Sequence, residues 1–296
     1  MTIKQRTPTT LKTRLNVRKT YKLFINGEFP RTESGRFYPV YSNGGKEVVA
    51  NACRGSRKDL RNAVVAARKA QSSWSGKTAY NRGQILYRIA EVCESRSREL
   101  EKELQLAGLA KEDARVEVEQ AIDCWIYYAG WSDKFSQLLG TVNPVAGPYY
   151  NFTVPEPTGV VGVVAPEEPA LLGLFRRIAP AIVSGNCVVT ILSEKNPLPG
   201  VTFGEILATS DVPPGVVNLV SGLKSELIPW LASHMDVNAI DLPDLDEGIL
   251  RKVEIAAAEN VKRIVRPSEA SARDPQSPYA ISDFLEMKTV WHPMGM

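Results

Sequence analysis

The residues of this chain able to carry chemistry are four cysteines, two histidines and three acidic groups set among hydrophobic runs. Cys53, Cys93, Cys124 and Cys187 are its only thiols, and none stands beyond position 187. Their separations match neither a disulfide framework nor a metal-ligand set, which suits a reducing cytoplasm. Cys124 falls in a helical pattern and Cys187 in a strand pattern, so both read as packing residues. His234 and His292 stand at no spacing that would build a Ser-His-Asp relay or a zinc site. The acids lie at Glu167-Glu168, at Glu194 beside Ser193, and in Asp241-Leu242-Pro243-Asp244-Leu245-Asp246-Glu247-Gly248. Glu167 and Glu168 precede a helical pattern and are expected to be exposed, complementing its dipole. Asp244 or Asp246 is expected to cap the next helix. No catalytic residue and no metal ligand is assigned on these grounds.

The elements that must position these groups follow from composition and periodicity. With 296 residues, 44% apolar and 23% charged, the chain has the make-up of a soluble globular protein able to build a core without disulfides or metals. The net charge is only +3, and Lys4, Arg6, Lys12, Arg14, Arg18 and Lys19 crowd the first twenty residues. That stretch lacks aromatic interleaving and hydrophobic periodicity, so residues 1–20 are expected to form a flexible basic arm, with no nucleic acid as partner. No signal-peptide core and no run of eighteen apolar residues occurs, so no membrane association is expected.

Tyr21 to Phe29 alternates around Asn26-Gly27, the signature of a β-hairpin. Ser56 and Asp59 form a capping box ahead of Leu60, Val64, Ala67 and Ala70. Longer helical patterns run from about Tyr80 to Gln105 and from about Glu112 to Leu139. Thr141 to Thr153 is strand-like around Gly147-Pro148. From Gly159 short apolar runs alternate with helical stretches: strands at Gly159–Pro166, Cys187–Ile191, Val216–Val220, Ala239–Leu242 and Val261–Val265, with helices between them. This predicts a doubly wound α/β domain whose ligand crevice lies beyond the carboxyl ends of the strands. Residues 266–278 form a Pro/Ser/charged linker, and 279–296 carry a last strand-like segment, Phe284 to Trp291.

The runs FINGEF from Phe24, SGRFYPVY from Ser34, YYAGWSDK from Tyr127, EPTGVVGVVAP from Glu156, RIAPAIVSGNCVV from Arg177, PPGVVNLVSG from Pro213 and LASHMDVNAI from Leu231 are collinear over Tyr21 to about Val265. Together they resemble the aldehyde dehydrogenase superfamily. The ending VWHPMGM is similar to the end of the second, degenerate module of family 16 aldehyde dehydrogenases. The resemblance implies a Rossmann-like NAD-binding-type domain over residues 21–265 that includes a hairpin over 141–156, followed by a C-terminal oligomerisation strand. Where the family places its catalytic domain, with the thiol that attacks the aldehyde, only thirteen residues separate Val265 from Tyr279.

Compared with the family motif by motif, the chain departs at each chemical position. Pro-Trp-Asn-Phe-Pro, whose Asn serves the oxyanion, is here Pro166-Glu167-Glu168-Pro169-Ala170, and a carboxylate opposes that task. Lys-Pro-Ser-Glu, which anchors the adenosine ribose, is Ile191-Leu192-Ser193-Glu194, with the lysine gone. The glycine-rich crossover at the pyrophosphate is Asp241 to Gly248, where Pro243 has no amide to donate and four carboxylates crowd the phosphate place. Glu-Leu-Gly-Gly, which holds the general base, is Arg266-Pro267-Ser268-Glu269. Pro166, Ser193, Glu194 and Gly222 remain as vestigial cofactor positions, and NAD(P) is implied by resemblance alone. The expected function is a non-catalytic partner or scaffold subunit of a full-length aldehyde dehydrogenase, docking through Thr141–Thr153 and Met287–His292, with the isolated chain inactive. The alternative is an NAD(P)-dependent aldehyde oxidoreductase subunit contributing to a composite site.

Overall fold

The computed structural model describes residues 17–42, 45, 47–266 and 276–295. The chain enters through β1 (Thr20–Tyr21) and an antiparallel pair, β2 (Phe37–Tyr41) and β3 (Val48–Cys53), forming a small sheet in the order β1-β3-β2. Lys19 and Thr20 thus already belong to the folded body: the Lys19 carbonyl accepts from Asn51 N at 3.0 Å, and its ammonium lies over the Tyr21 ring. Lys4 to Arg14 fall outside the described residues. The hairpin expected over Tyr21 to Phe29 turns at Asn26 and Gly27, both at positive φ: Ile25 and Glu28 bond each other in both directions at 3.0 Å, and Leu23 N donates to the Pro30 carbonyl at 3.1 Å. On the other edge of the same strand Phe24 bonds Leu219 in both directions, at 3.0 and 2.7 Å, which joins the hairpin to the larger sheet.

α1 (Arg57–Ser75) opens with the anticipated capping box, in which Asp59 N donates to Ser56 Oγ at 3.3 Å and Ser56 N to Asp59 Oδ2 at 2.8 Å. Each of the two long helical patterns is broken once. α2 (Ala79–Ser95) and α3 (Ser97–Ala107) part at Arg96, whose guanidinium bonds Glu99 and Glu205; α4 (Lys111–Trp131) and α5 (Phe135–Leu139) part around Ser132. α4 is held to the remaining body by Trp125, whose ring sits 5.3 Å from Phe175 and 5.6 Å from Phe203.

β4 (Thr141–Asn143) and β5 (Tyr149–Pro157) precede the alternating series β6 (Val160–Val164), α6 (Leu172–Val183), β7 (Cys187–Ile191), α7 (Leu198–Leu207), β8 (Val217–Val220), α8 (Lys224–Ser233), β9 (Ala239–Asp241), α9 (Glu247–Ala258) and β10 (Arg263–Val265). A 3-10 turn, Pro278–Phe284, leads into β11 (Leu285–Pro293). β6 to β10 make a parallel sheet in the order β10-β9-β6-β7-β8, the expected doubly wound arrangement. Helices cover both faces, so β6, β7 and β8 are buried along their whole lengths. The strand order reverses between β6 and β9, which puts the crevice outside their carboxyl ends.

β11, β5 and β4 form a separate antiparallel sheet in that order. Only Thr158 and Gly159 separate β5 from β6, the middle strand of the parallel sheet. Two asparagines fix this junction: Gly159 N donates to Asn186 Oδ1 at 2.7 Å and Val160 N to Asn238 Oδ1 at 3.0 Å. Asn186 Nδ2 and Thr158 N both donate to the Phe284 carbonyl, at 2.9 and 3.1 Å, and so bind the approach to β11 to the same point.

Candidate functional site

The loops after β6, β7 and β8 converge at the crevice, bringing Pro166, Ser193, Glu194 and Gly222 to one end of the sheet. Their polar groups are already committed to one another. Lys224, in the first turn of α8, donates to the Ala165 carbonyl at 2.6 Å and pairs with Glu167. The other Glu167 oxygen accepts from Ser193 Oγ at 2.8 Å and from Lys195 N at 3.0 Å. Ser193 Oγ accepts from Asn196 N, and Glu194 Oε2 accepts from Lys224 N at 2.9 Å. The circuit ties three crossover loops together. Burial raises the Glu167 pKa, but the Lys195 amide, the Lys224 ammonium and the Ser193 hydroxyl outweigh it and hold the carboxyl below its ordinary range. Glu167 is therefore not the exposed dipole-complementing group expected of it. Glu168 is exposed. The start of α6 is instead served by Glu117 of α4, whose Oε1 accepts from Leu171 N at 2.9 Å and Leu172 N at 3.1 Å.

The acidic crossover divides in two. Asp241, at the end of β9, is 3% exposed and paired with Arg177 of α6, so it does not stand with the other three acids at the crevice mouth. Burial pushes its pKa up to about 6 despite that partner. Asp246 caps α9 as the spacing predicts, accepting from Gly248 N at 2.9 Å. Glu254 pairs with Arg266, and Glu269 lies outside the described residues.

The site does not fit a dinucleotide held in the manner the resemblance implies. The α9 amide that would face a phosphate is occupied by Asp246, Pro243 has none, and the ribose-type carboxylate Glu194 is bound to a main-chain amide. Ile191, in the place of the ribose lysine, is fully buried, and Leu192 after it is 1% exposed and packs within 2.6 Å of where a Cβ on Gly200 would stand. Gly222 is required by close packing: a Cβ there would meet Leu227 at 2.8 Å and Gly55 N at 3.1 Å.

All four cysteines are buried and free, and burial pushes the Cys124 and Cys187 thiols up to about 12, away from the thiolate needed for attack. His234 ends α8, and its Nδ1 accepts from Asp236 N at 3.2 Å; burial lowers its pKa. Among the described residues no group of three His, Cys, Asp or Glu is placed to hold a metal ion, and no helix is long and apolar enough to cross a membrane. Sequence reasoning missed Lys224, Glu117 and the Arg177–Asp241 pair. Lys224 had a signal, since it follows Gly222 at the start of a crossover helix.

The family model described as aldehyde dehydrogenase family matches residues 29–267. Human retinal dehydrogenase 2 is 33% identical over 271 residues, covering 90% of this chain and 51% of the relative. The mitochondrial benzaldehyde dehydrogenase of Antirrhinum majus is 33% identical over 247 residues, covering 82% and 46%. Among solved structures, HpcC from Thermus thermophilus superposes with a TM-score of 0.79 at 33% identity, covering 83% of this chain and 48% of that one. The NAD+ complex of an aldehyde dehydrogenase from Bacillus cereus gives 0.79 at 27% identity, covering 83% and 50%. The chain spans about half the length of the curated relatives it matches.

Proposed function

This chain belongs to the aldehyde dehydrogenase family, and we propose that it acts as a non-catalytic partner subunit of a full-length aldehyde dehydrogenase. The observation that carries the reading is the β4-β5-β11 sheet. Val142 is 65% exposed, Trp291 58% and Met287 49%, and strand alternation puts Val290 and Trp291 on opposite faces. Among the described residues β11 pairs along one edge only. An apolar strand with an unpaired edge is a template for strand addition. The crossover loops support the same reading, because Glu167, Ser193 and Lys224 bond one another there and no cysteine stands among them. The stretch from β10 to the 3-10 turn is twelve residues, too few to hold a second domain.

Co-expression with a full-length homologue from the same source tests this. A complex of fixed stoichiometry in light scattering is expected; two separate species at micromolar concentration would overturn it. Calorimetry with NAD and NADP on the chain alone addresses the competing role as a subunit contributing to a composite active site: micromolar binding would favour that role, and no binding is expected.

A further inference from the structure

A cleft of about 1040 Å³ opens beside the crossover circuit, between β2, the end of α3 and the loops following β6 and β7. Carboxylates are the commonest polar groups in its lining, beside Tyr38, Tyr41, Ser42, Lys195 and Asn196. Four carboxylates, Glu117, Glu167, Glu168 and Glu194, face a single lining cation, Lys195. Glu167 is neutralised by Lys224, but among the described residues no ion pair reaches Glu117, Glu168 or Glu194. Glu117 and Glu194 accept only main-chain amides, which leaves their charge in place.

Two further groups in the lining are unsatisfied. Asn196 is 8% exposed, and its side-chain oxygen has no hydrogen-bond partner; the buried Tyr38 hydroxyl has none either. An orphaned buried acceptor costs about 1 to 3 kcal/mol, so a donor arriving there is favoured. The Tyr38 hydroxyl feels its surroundings directly: burial, then the charges of Glu194 and Glu167, raise its pKa. Tyr41, 48% exposed, offers a second aromatic ring, and Pro39, Ala107 and Leu109 supply an apolar wall. The cleft thus combines uncompensated negative charge, unmet acceptors, aromatic rings and a hydrocarbon surface.

We propose that this cleft binds a small organic cation, an alkyl ammonium or diammonium whose methylenes lie on the apolar wall of Pro39, Ala107 and Leu109 and whose N–H groups meet Glu168, Glu194 and Asn196. Each part of the lining has a counterpart in such a ligand: carboxylates for charge, the Asn196 oxygen for an N–H, tyrosine faces for cation–π contact. Anionic ligands are repelled by the same groups. The proposal is independent of the partner-subunit reading.

The test is calorimetric titration of the full chain with 1,6-diaminohexane, alongside 1,6-hexanediol and hexanedioate of the same length. One-to-one binding of the diamine is expected, weakening as salt is raised, with neither control binding. Glu168→Gln, at an exposed position that leaves the fold intact, is expected to lower the affinity about tenfold, as is Tyr41→Ala. No heat from millimolar diamine, equal binding of the diol, or unchanged affinity in both variants would overturn the assignment.

Discussion

The carboxyl ends of the parallel sheet and the β4-β5-β11 sheet are built on opposite plans. At the first, Glu167, Ser193, Glu194 and Lys224 satisfy one another across three loops. At the second, Val142, Met287, Val290 and Trp291 remain exposed beside an open edge. The difference teaches where a partner is to be sought. Loops whose side chains already tie one another together leave no main-chain edge for a protein partner, whereas a bare strand edge has main-chain groups still to pair.

The largest effect expected is on the open side. Val290→Lys with Trp291→Lys puts a charge on each face of β11 and is expected to weaken the partner complex by more than about a hundredfold. Light scattering checks it, with an unchanged melting temperature of the chain alone showing that the fold survives. On the closed side, Lys224→Met leaves Glu167 without its cation and is expected to cost about 3 kcal/mol of folding stability, read from urea denaturation. A loss below about 0.5 kcal/mol would mean the circuit does not hold the loops, and the contrast would fail.

Two glutamates sharpen the comparison through pH. Glu103 is 4% exposed; Thr202 and Tyr21 donate to one oxygen and the other has no partner. Burial raises its pKa to about 7, above its ordinary value, so its favourable contribution is full at acid pH and is lost as pH rises through about 7. Glu103→Gln is expected to make the protein on the order of 2 kcal/mol more stable relative to wild type at pH 8 than at pH 4, by denaturation at both. Glu167 has the opposite sign. Its folded pKa is depressed, so its contribution is present above the ordinary glutamate range and fades as pH falls through the lower value; Glu167→Gln should flatten that acid limb. The smallest change expected is Asp246→Ala, which removes the cap of α9 and should cost about 1 kcal/mol by the same denaturation assay.

Local signals made much of this legible. The capping box at Ser56 and Asp59, the helix cap at Asp246 and the alternating series from Gly159 onward are short-range patterns, and each appears where the residues place it. Long-range partners decided the remainder. The hairpin's second attachment, Phe24 to Leu219, joins residues far apart in the chain that no local pattern relates. Arg96 breaks a helical pattern that carries no proline or glycine there, and its guanidinium pairs with Glu205 of α7. β2 gives a weak strand signal because Pro39 interrupts it. The candidate site was visible only as positions: nothing in Glu167 or Glu194 announces that Lys224 will claim both, one by its side chain and the other by its amide.

The two-residue joint between β5 and β6 gives the outlying sheet a mechanical connection to the middle of the molecule. Force applied at β11 reaches Gly159, and through Asn186 and Asn238 it reaches β6 and its neighbours. Docking at the periphery would then be registered as slower deuterium uptake in Val160 to Val164, a tremor damped at the heart of the fold by something gripping its rim.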